Sequence, residues 1–132
     1  MKYFIYTRKS TKDEERQVMS IEAQLAELHE YVKRENLEIA ETFTESKSAK
    51  SPGREIFNEM VGKIKNNKEP VGILAWHPDR LARNSVDGGQ IIYLIDTGKI
   101  VSLRFPTFWF EPTPPRIIYA SGSFRPIKIL FR

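Results

Sequence analysis

The sequence predicts an α/β fold in three layers, with helices on both faces of a mostly parallel sheet of four to five strands. Two observations carry that expectation. Segments with a two-residue apolar period alternate with segments of helical period, and a strand–helix–strand order builds parallel sheets. Near the middle, Val71, Ile73, Leu74, Ala75 and Trp76 form a short apolar run. Such a run suits a central strand buried on both faces.

The elements follow in order. Residues 2–8 read as a strand, with Tyr3, Ile5 and Thr7 alternating against Phe4 and Tyr6. A loop follows, because residues 11–17 are polar and without period. Ser20 is a good N-cap. Ile21, Leu25, Leu28 and Val32 then recur at helical spacing until about Asn36. Residues 37–44 read as a second strand, led by Leu37, Ile39 and Phe43. Residues 45–53 carry Ser46, Lys47, Ser48, Lys50, Ser51 and Pro52, a basic loop. Arg54 opens a helix whose apolar stripe is Ile56, Phe57, Met60, Val61 and Ile64. Residues 66–70 turn into the central run, and His77-Pro78-Asp79-Arg80 breaks out of it. Residues 85–96 are helical by Val86, Ile91, Ile92, Leu94 and Ile95, against the opposition of Gly88 and Gly89. Thr97-Gly98 caps that helix, and residues 100–105 read as a fourth strand. Phe108, Trp109 and Phe110 then sit among Pro106, Pro112, Pro114 and Pro115.

Bulk composition narrows the classes. At 132 residues one domain has room for a core. Apolar content of 40% and charged content of 29% are ordinary for a globular domain. No Cys is present, which removes disulfide frameworks and thiolate metal sites. No apolar run is long enough to span a bilayer, and the first residues are too short for a signal peptide, so a cytoplasmic chain is expected. The net charge of +4 fits a polyanionic partner without requiring one.

In a parallel sheet every strand-to-helix loop lies on one edge. Ser10, the loop from Lys47 to Arg54 and the stretch Asp79-Arg80-Leu81-Ala82-Arg83 therefore converge, and all bring serine or arginine. Ser10 follows Arg8 by two residues, which puts both on one side of an extended chain. A serine among arginines, with no histidine close in sequence, suits chemistry on a phosphate. Guanidiniums bind phosphate oxygens bidentately and keep their charge at any working pH. They also stabilise charge that develops on the oxygens during attack.

Taken singly, each residue has a plainer reading. Ser10 alone suits a cap or turn, and Arg8, Arg80 and Arg83 suit surface charges paired with Asp79 or Glu45. His29 and His77 read as structural or solvent-facing, and Asp13-Glu14-Glu15 as solvated carboxylates that no second cluster completes into a metal site. Lys47, Lys50 and Arg54 either grip phosphate or only make their loop soluble. The aromatic residues 108–110 suit packing over the sheet better than stacking on bases. A nucleotide-binding domain is disfavoured, since no Gly-rich loop follows any strand.

Several motifs in order resemble the serine recombinases, most closely the large serine integrases of phages and mobile elements. They are Tyr6-x-Arg8-x-Ser10, Ser20-Ile21-Glu22-Ala23-Gln24, Gly53-Arg54 and Asp79-Arg80-Leu81-Ala82-Arg83-Asn84. Leu94-Ile95-Asp96-Thr97-Gly98-Lys99-Ile100 and Phe105-Pro106-Thr107-Phe108-Trp109-Phe110 extend the likeness over about residues 2–114. The resemblance implies a serine recombinase catalytic domain over residues 1–114, in which Ser10 attacks DNA and forms a 5′-phosphoserine link. It implies that Arg8, Arg80 and Arg83 hold the scissile phosphate, with Arg54 as a further phosphate-binding arginine. Gln24 would be a polar partner of the site and Asp79 would orient the arginines. It implies double-stranded DNA as partner, a dimer or tetramer as the working assembly, and neither metal nor cofactor.

Residues 115–132 do not resemble the long helix with which the family continues. They have no helical period, and Gly122 and Pro126 oppose one. Read one nucleotide later, codons compatible with this segment can spell Gln-Gly-x-Phe-Met-Leu-x-x-Ala-Phe-Gly-Gln-Ser-Lys-Tyr-Tyr, similar to the start of that helix. A frameshift after about Pro114 would explain the tail. Two functions of different class follow: a recombinase catalytic domain, or a non-catalytic remnant that is inert or acts only by associating with intact recombinase.

Overall fold

Four parallel strands make the central sheet of this computed structural model, which describes residues 1–9, 20–45, 55–82, 85–110, 117–120 and 126–129. The strands β1 (Lys2–Arg8), β2 (Glu38–Glu45), β3 (Val71–Ala75) and β4 (Ile100–Arg104) lie in the order β2-β1-β3-β4. The helix α1 (Ile21–Glu35) joins β1 to β2, and α2 (Glu55–Asn66) joins β2 to β3. Between β3 and β4 come the short α3 (Pro78–Leu81) and then α4 (Ser85–Asp96).

This order explains the layers. The chain steps from β1 outward to β2, then returns across β1 to β3 and continues to β4. Parallel crossovers are right-handed, so a reversal of direction moves the connecting helix to the other face. Accordingly Leu28 of α1 packs with Tyr3, Ile5 and Leu74 on one face. On the other, Phe57, Met60 and Ile64 of α2 and Ile91 and Leu94 of α4 pack with Phe4, Tyr6, Ile73 and Ala75. Alternate residues of β1 thus feed two cores, as the two-residue strand period requires. The inner strand β3 is buried at every position, while the edge strand β2 alternates with solvent until Phe43.

Helix ends obey their local chemistry. The Ser20 hydroxyl accepts the Ala23 N–H at 3.1 Å, the cap its sequence position promised. Asn36 closes α1 in the left-handed region with φ 54°, where its short polar side chain is better tolerated than most. Gly98 closes α4 with φ 79°.

Two places differ from the sequence reading. The stretch after β3, read as a loop, contains α3, four residues long and packed against β1 and β3. A helix that short has no period to detect. The stretch after β4 contains a strand, β5 (Phe108–Phe110), which pairs antiparallel with β6 (Ile117–Ala120). In turn β6 pairs antiparallel with β7 (Pro126–Ile129). These three strands form a second sheet. The side chains of Phe110 and Phe108 pack on the main core, as the packing reading of the aromatic stretch expected. Among the described residues no helix is long and apolar enough to cross a membrane.

Candidate active site

An open parallel sheet offers a crevice where the strand order reverses, outside the carboxyl ends of the strands. Here that point lies between β1, which leads away to β2, and β3, which leads away to β4. The residues leaving β1 are Arg8 and Lys9, and those leaving β3 run into α3 and Arg80. Because α3 packs against β1, the two exits meet.

Both arginines are buried. Arg8 is 5% exposed and Arg80 is 9% exposed. They are therefore not the surface charges that each suggested when read alone. Strand alternation places Arg8 on the face of Phe4 and Tyr6. Withdrawing guanidiniums from water is expensive, so a fold keeps them there only within a polar, anion-matched setting.

Gln24 joins α1 to this point. It is wholly buried one turn before Leu28, and its Nε2 donates to the Arg8 carbonyl at 3.0 Å. Glu45 joins β2 and α2 to it. The sequence reading put Glu45 in the loop, but it is the last residue of β2 and only 3% exposed. Its Oε1 accepts the Tyr6 hydroxyl and, at 3.3 Å, the Phe57 N–H, while Oε2 accepts the Ile56 N–H at 3.1 Å. A carboxylate at a helix N-terminus satisfies orphan N–H groups and meets the positive end of the helix dipole. The signal for this residue was present: Glu45 lies two after Phe43 and so points to the same, inner face. Asp87, 7% exposed in the first turn of α4, is a second buried carboxylate that the sequence did not single out.

Of the other expected site residues, Asp79 sits in α3 beside Arg80. Ser10, Arg54 and Arg83 lie outside the described residues, as do the Lys47 and Lys50 loop and Asp13-Glu14-Glu15. Lys9, directly before Ser10, is described: its N–H donates to the Glu45 carbonyl at 3.0 Å, which extends the β1–β2 ladder to the brink of Ser10. His77 packs its ring edge-on to Phe108 at 4.7 Å, in keeping with the structural reading of that histidine.

Chemically, the β1 and β3 exits bring together two cations fixed on different elements, a buried amide on the backbone of one of them, and a buried carboxylate anchoring the exit strand. This arrangement suits a phosphodiester better than an acyl group: guanidiniums match the phosphate oxygens in charge and geometry.

The family model of the resolvase N-terminal domain matches residues 3–114. No curated protein matches the chain. Among solved structures, the chain is similar to the N-terminal catalytic domain of TP901-1 integrase, with 26% identity and a TM-score of 0.58, over 77% of this chain and 75% of that one. It is similar to a resolvase family site-specific recombinase from Streptococcus pneumoniae, with 27% identity and a TM-score of 0.59, over 77% of this chain and 70% of that one. The C-terminal catalytic domain of ISC1926 TnpA, an IS607-like serine recombinase, shares the fold at 19% identity and a TM-score of 0.60, over 80% of this chain and 67% of that one.

Proposed function

Since the chain belongs to the family of the resolvase N-terminal domain, we propose that it is the catalytic domain of a site-specific DNA recombinase of the integrase type. Ser10 is the nucleophile. Its Oγ attacks the scissile phosphorus and loses its proton, a 5′-phosphoserine bond forms, and the bond to the 3′ oxygen breaks. The leaving oxygen takes up a proton and departs as a 3′-hydroxyl. Arg8 and Arg80, with Arg83 and Arg54, hold the phosphate oxygens and offset the charge that grows on them. Gln24 and Asp79 support the arginine-bearing segments. The covalent link conserves the phosphodiester energy, so rejoining needs no cofactor. Double-stranded DNA is the substrate, and such domains act together as a dimer or tetramer.

The observation that carries this reading is the burial of Arg8 and Arg80 at the one point where the strand order reverses. Incubation of the protein with duplex DNA carrying an integrase-type attachment site tests it. The expected product is a protein–DNA adduct that survives denaturation, mapped by mass spectrometry to the peptide bearing Ser10. An adduct on another residue, or none at saturating protein, overturns the reading.

One observation favours a second reading. Residues 117–120 pair antiparallel with β5 and residues 126–129 pair antiparallel with residues 117–120, whereas the family resemblance implies a long helix there. In that reading residues 115–132 are a frameshift product and the chain is a remnant without catalytic assembly. Sequencing the coding region past Phe110 in all frames decides the point. A +1 frame that continues into a long helix supports the frameshift, and a +1 frame that does not do so overturns it.

A further inference from the structure

We infer that Glu45 is a positioning residue for the phosphoryl-transfer site, fixing the end of β1, the strand whose chain leads on to Ser10, against the start of α2. The inference rests on the function proposed above.

Glu45 touches three parts of the fold at once. Through its carbonyl it accepts the Lys9 N–H at 3.0 Å, on the chain that leads directly to Ser10. Through its carboxylate it accepts the hydroxyl of Tyr6, from within β1. The same carboxylate accepts the N–H groups of Ile56 and Phe57, at the head of α2. In the strand register Glu45 is the partner of Arg8.

An ordinary cap does less than this. Caps usually come from the residue next to the helix, and they satisfy only the helix. This carboxylate arrives from eleven residues before Ile56, on a different element. It is also buried, where a charge is retained only if its acceptor positions are well used. Donors from β1 and from α2 both use it. A shift of either partner withdraws a donor from a charge in a low-dielectric setting, so strand exit and helix head are held in one geometry. Tyr6 contributes through Glu45. A displacement of about 1 Å at a reacting group costs roughly a hundredfold in rate, so the fixing of this exit bears directly on catalysis.

The test replaces Glu45 with Gln, which keeps the shape and removes the charge, and separately Tyr6 with Phe. Two quantities are read: amide hydrogen exchange by NMR, and the rate of adduct formation against DNA affinity. In Glu45→Gln, exchange at Lys9, Ile56 and Phe57 is expected to speed up roughly tenfold. Exchange at Ile5 and Ile73 stays as it was. Adduct formation at saturating DNA slows about tenfold or more, with DNA affinity unchanged. Tyr6→Phe shifts the same amides less, and adding it to Glu45→Gln changes nothing further. Unchanged exchange at Lys9 in Glu45→Gln overturns the inference, as does an equal loss of rate and affinity. If the unaltered protein forms no adduct, it is the proposed function that fails, and exchange at Lys9 alone still decides for or against the clasp.

Discussion

Ser10→Ala is expected to abolish the covalent adduct, and Arg80→Ala to slow its formation about a hundredfold to a thousandfold, the usual cost of removing one donor to a developing anion. The two substitutions fail in different ways. Without the hydroxyl no bond to phosphorus is possible, so the first loss is complete and DNA binding remains. Without Arg80 the bond would still form, but the charge on the phosphate oxygens would no longer be offset by a guanidinium that is itself only 9% exposed. In low dielectric that missing charge weighs more than it would on the surface. Arg80→Lys keeps the charge and loses the planar fork, and is expected to recover only part of the rate. The dependence of DNA affinity on salt gives a second, independent reading. An arginine that neutralises one phosphate contributes about 0.9 to the slope of log affinity against log salt concentration. Arg8→Ala and Arg80→Ala, whose guanidiniums share one phosphate, should each lower that slope by no more than about one. Normal adduct rates in Arg80→Ala would place this cation outside the reaction.

How far such a site can be read from sequence depends on which residues speak locally. The strands and helices are legible because their periods are: Phe4 and Tyr6 fall on one face of β1, Tyr3 and Ile5 on the other. The same period puts Arg8 and Ser10 on one side of an extended chain. It did not locate the crevice, because the sequence order of strands does not say that β3 lies beside β1 and not beside β2. That adjacency comes from long-range pairing, and only then do Arg8 and Arg80 share a point. Glu45 was misassigned for a related reason. A charged residue ahead of a serine- and lysine-rich stretch resembles loop, and only its bonds to Tyr6 and α2 make burial tolerable. The short helix α3 and the strand β5 were hidden because each is held by its neighbours, not by its own pattern.

Gly72→Ala is expected to cost about 2–3 kcal/mol, the upper part of the range for overpacking a core. That corresponds to a fall in Tm of roughly 10 °C for a domain of this size. Gly72 stands beside Tyr3 in the β1–β3 register and beside Ser102 in the β3–β4 register. The Tyr3 ring crosses β3 over Gly72 to reach β4, where its hydroxyl donates to Ser102 Oγ at 2.9 Å. A Cβ on residue 72 would come 2.4 Å from Tyr3 Cε2. The ring cannot swing aside cheaply: Tyr3 is 2% exposed, and its hydroxyl also accepts from Arg104 Nε at 2.9 Å. Arg104 is in turn held by the Tyr31 hydroxyl and by Glu35, both on α1. The bonds to the Tyr31 and Tyr3 hydroxyls, that to Tyr31 foremost, raise the Arg104 pKa. The missing Cβ therefore supports a bridge from β1 across β3 to β4 and up to α1. A double-mutant cycle isolates the collision. In a Tyr3→Ala background the space over residue 72 is open, and Gly72→Ala should there become neutral or stabilising by about 0.5–1 kcal/mol, because alanine loses less backbone freedom than glycine. An equal cost in both backgrounds would mean that something other than the ring excludes a side chain. The bridge also has a bearing on the site, since α1 carries Gln24, whose amide rests on the Arg8 carbonyl. Slackening α1 at its Tyr31 end should loosen that bond, so Gly72→Ala is expected to raise amide exchange around Gln24 as well as lower Tm.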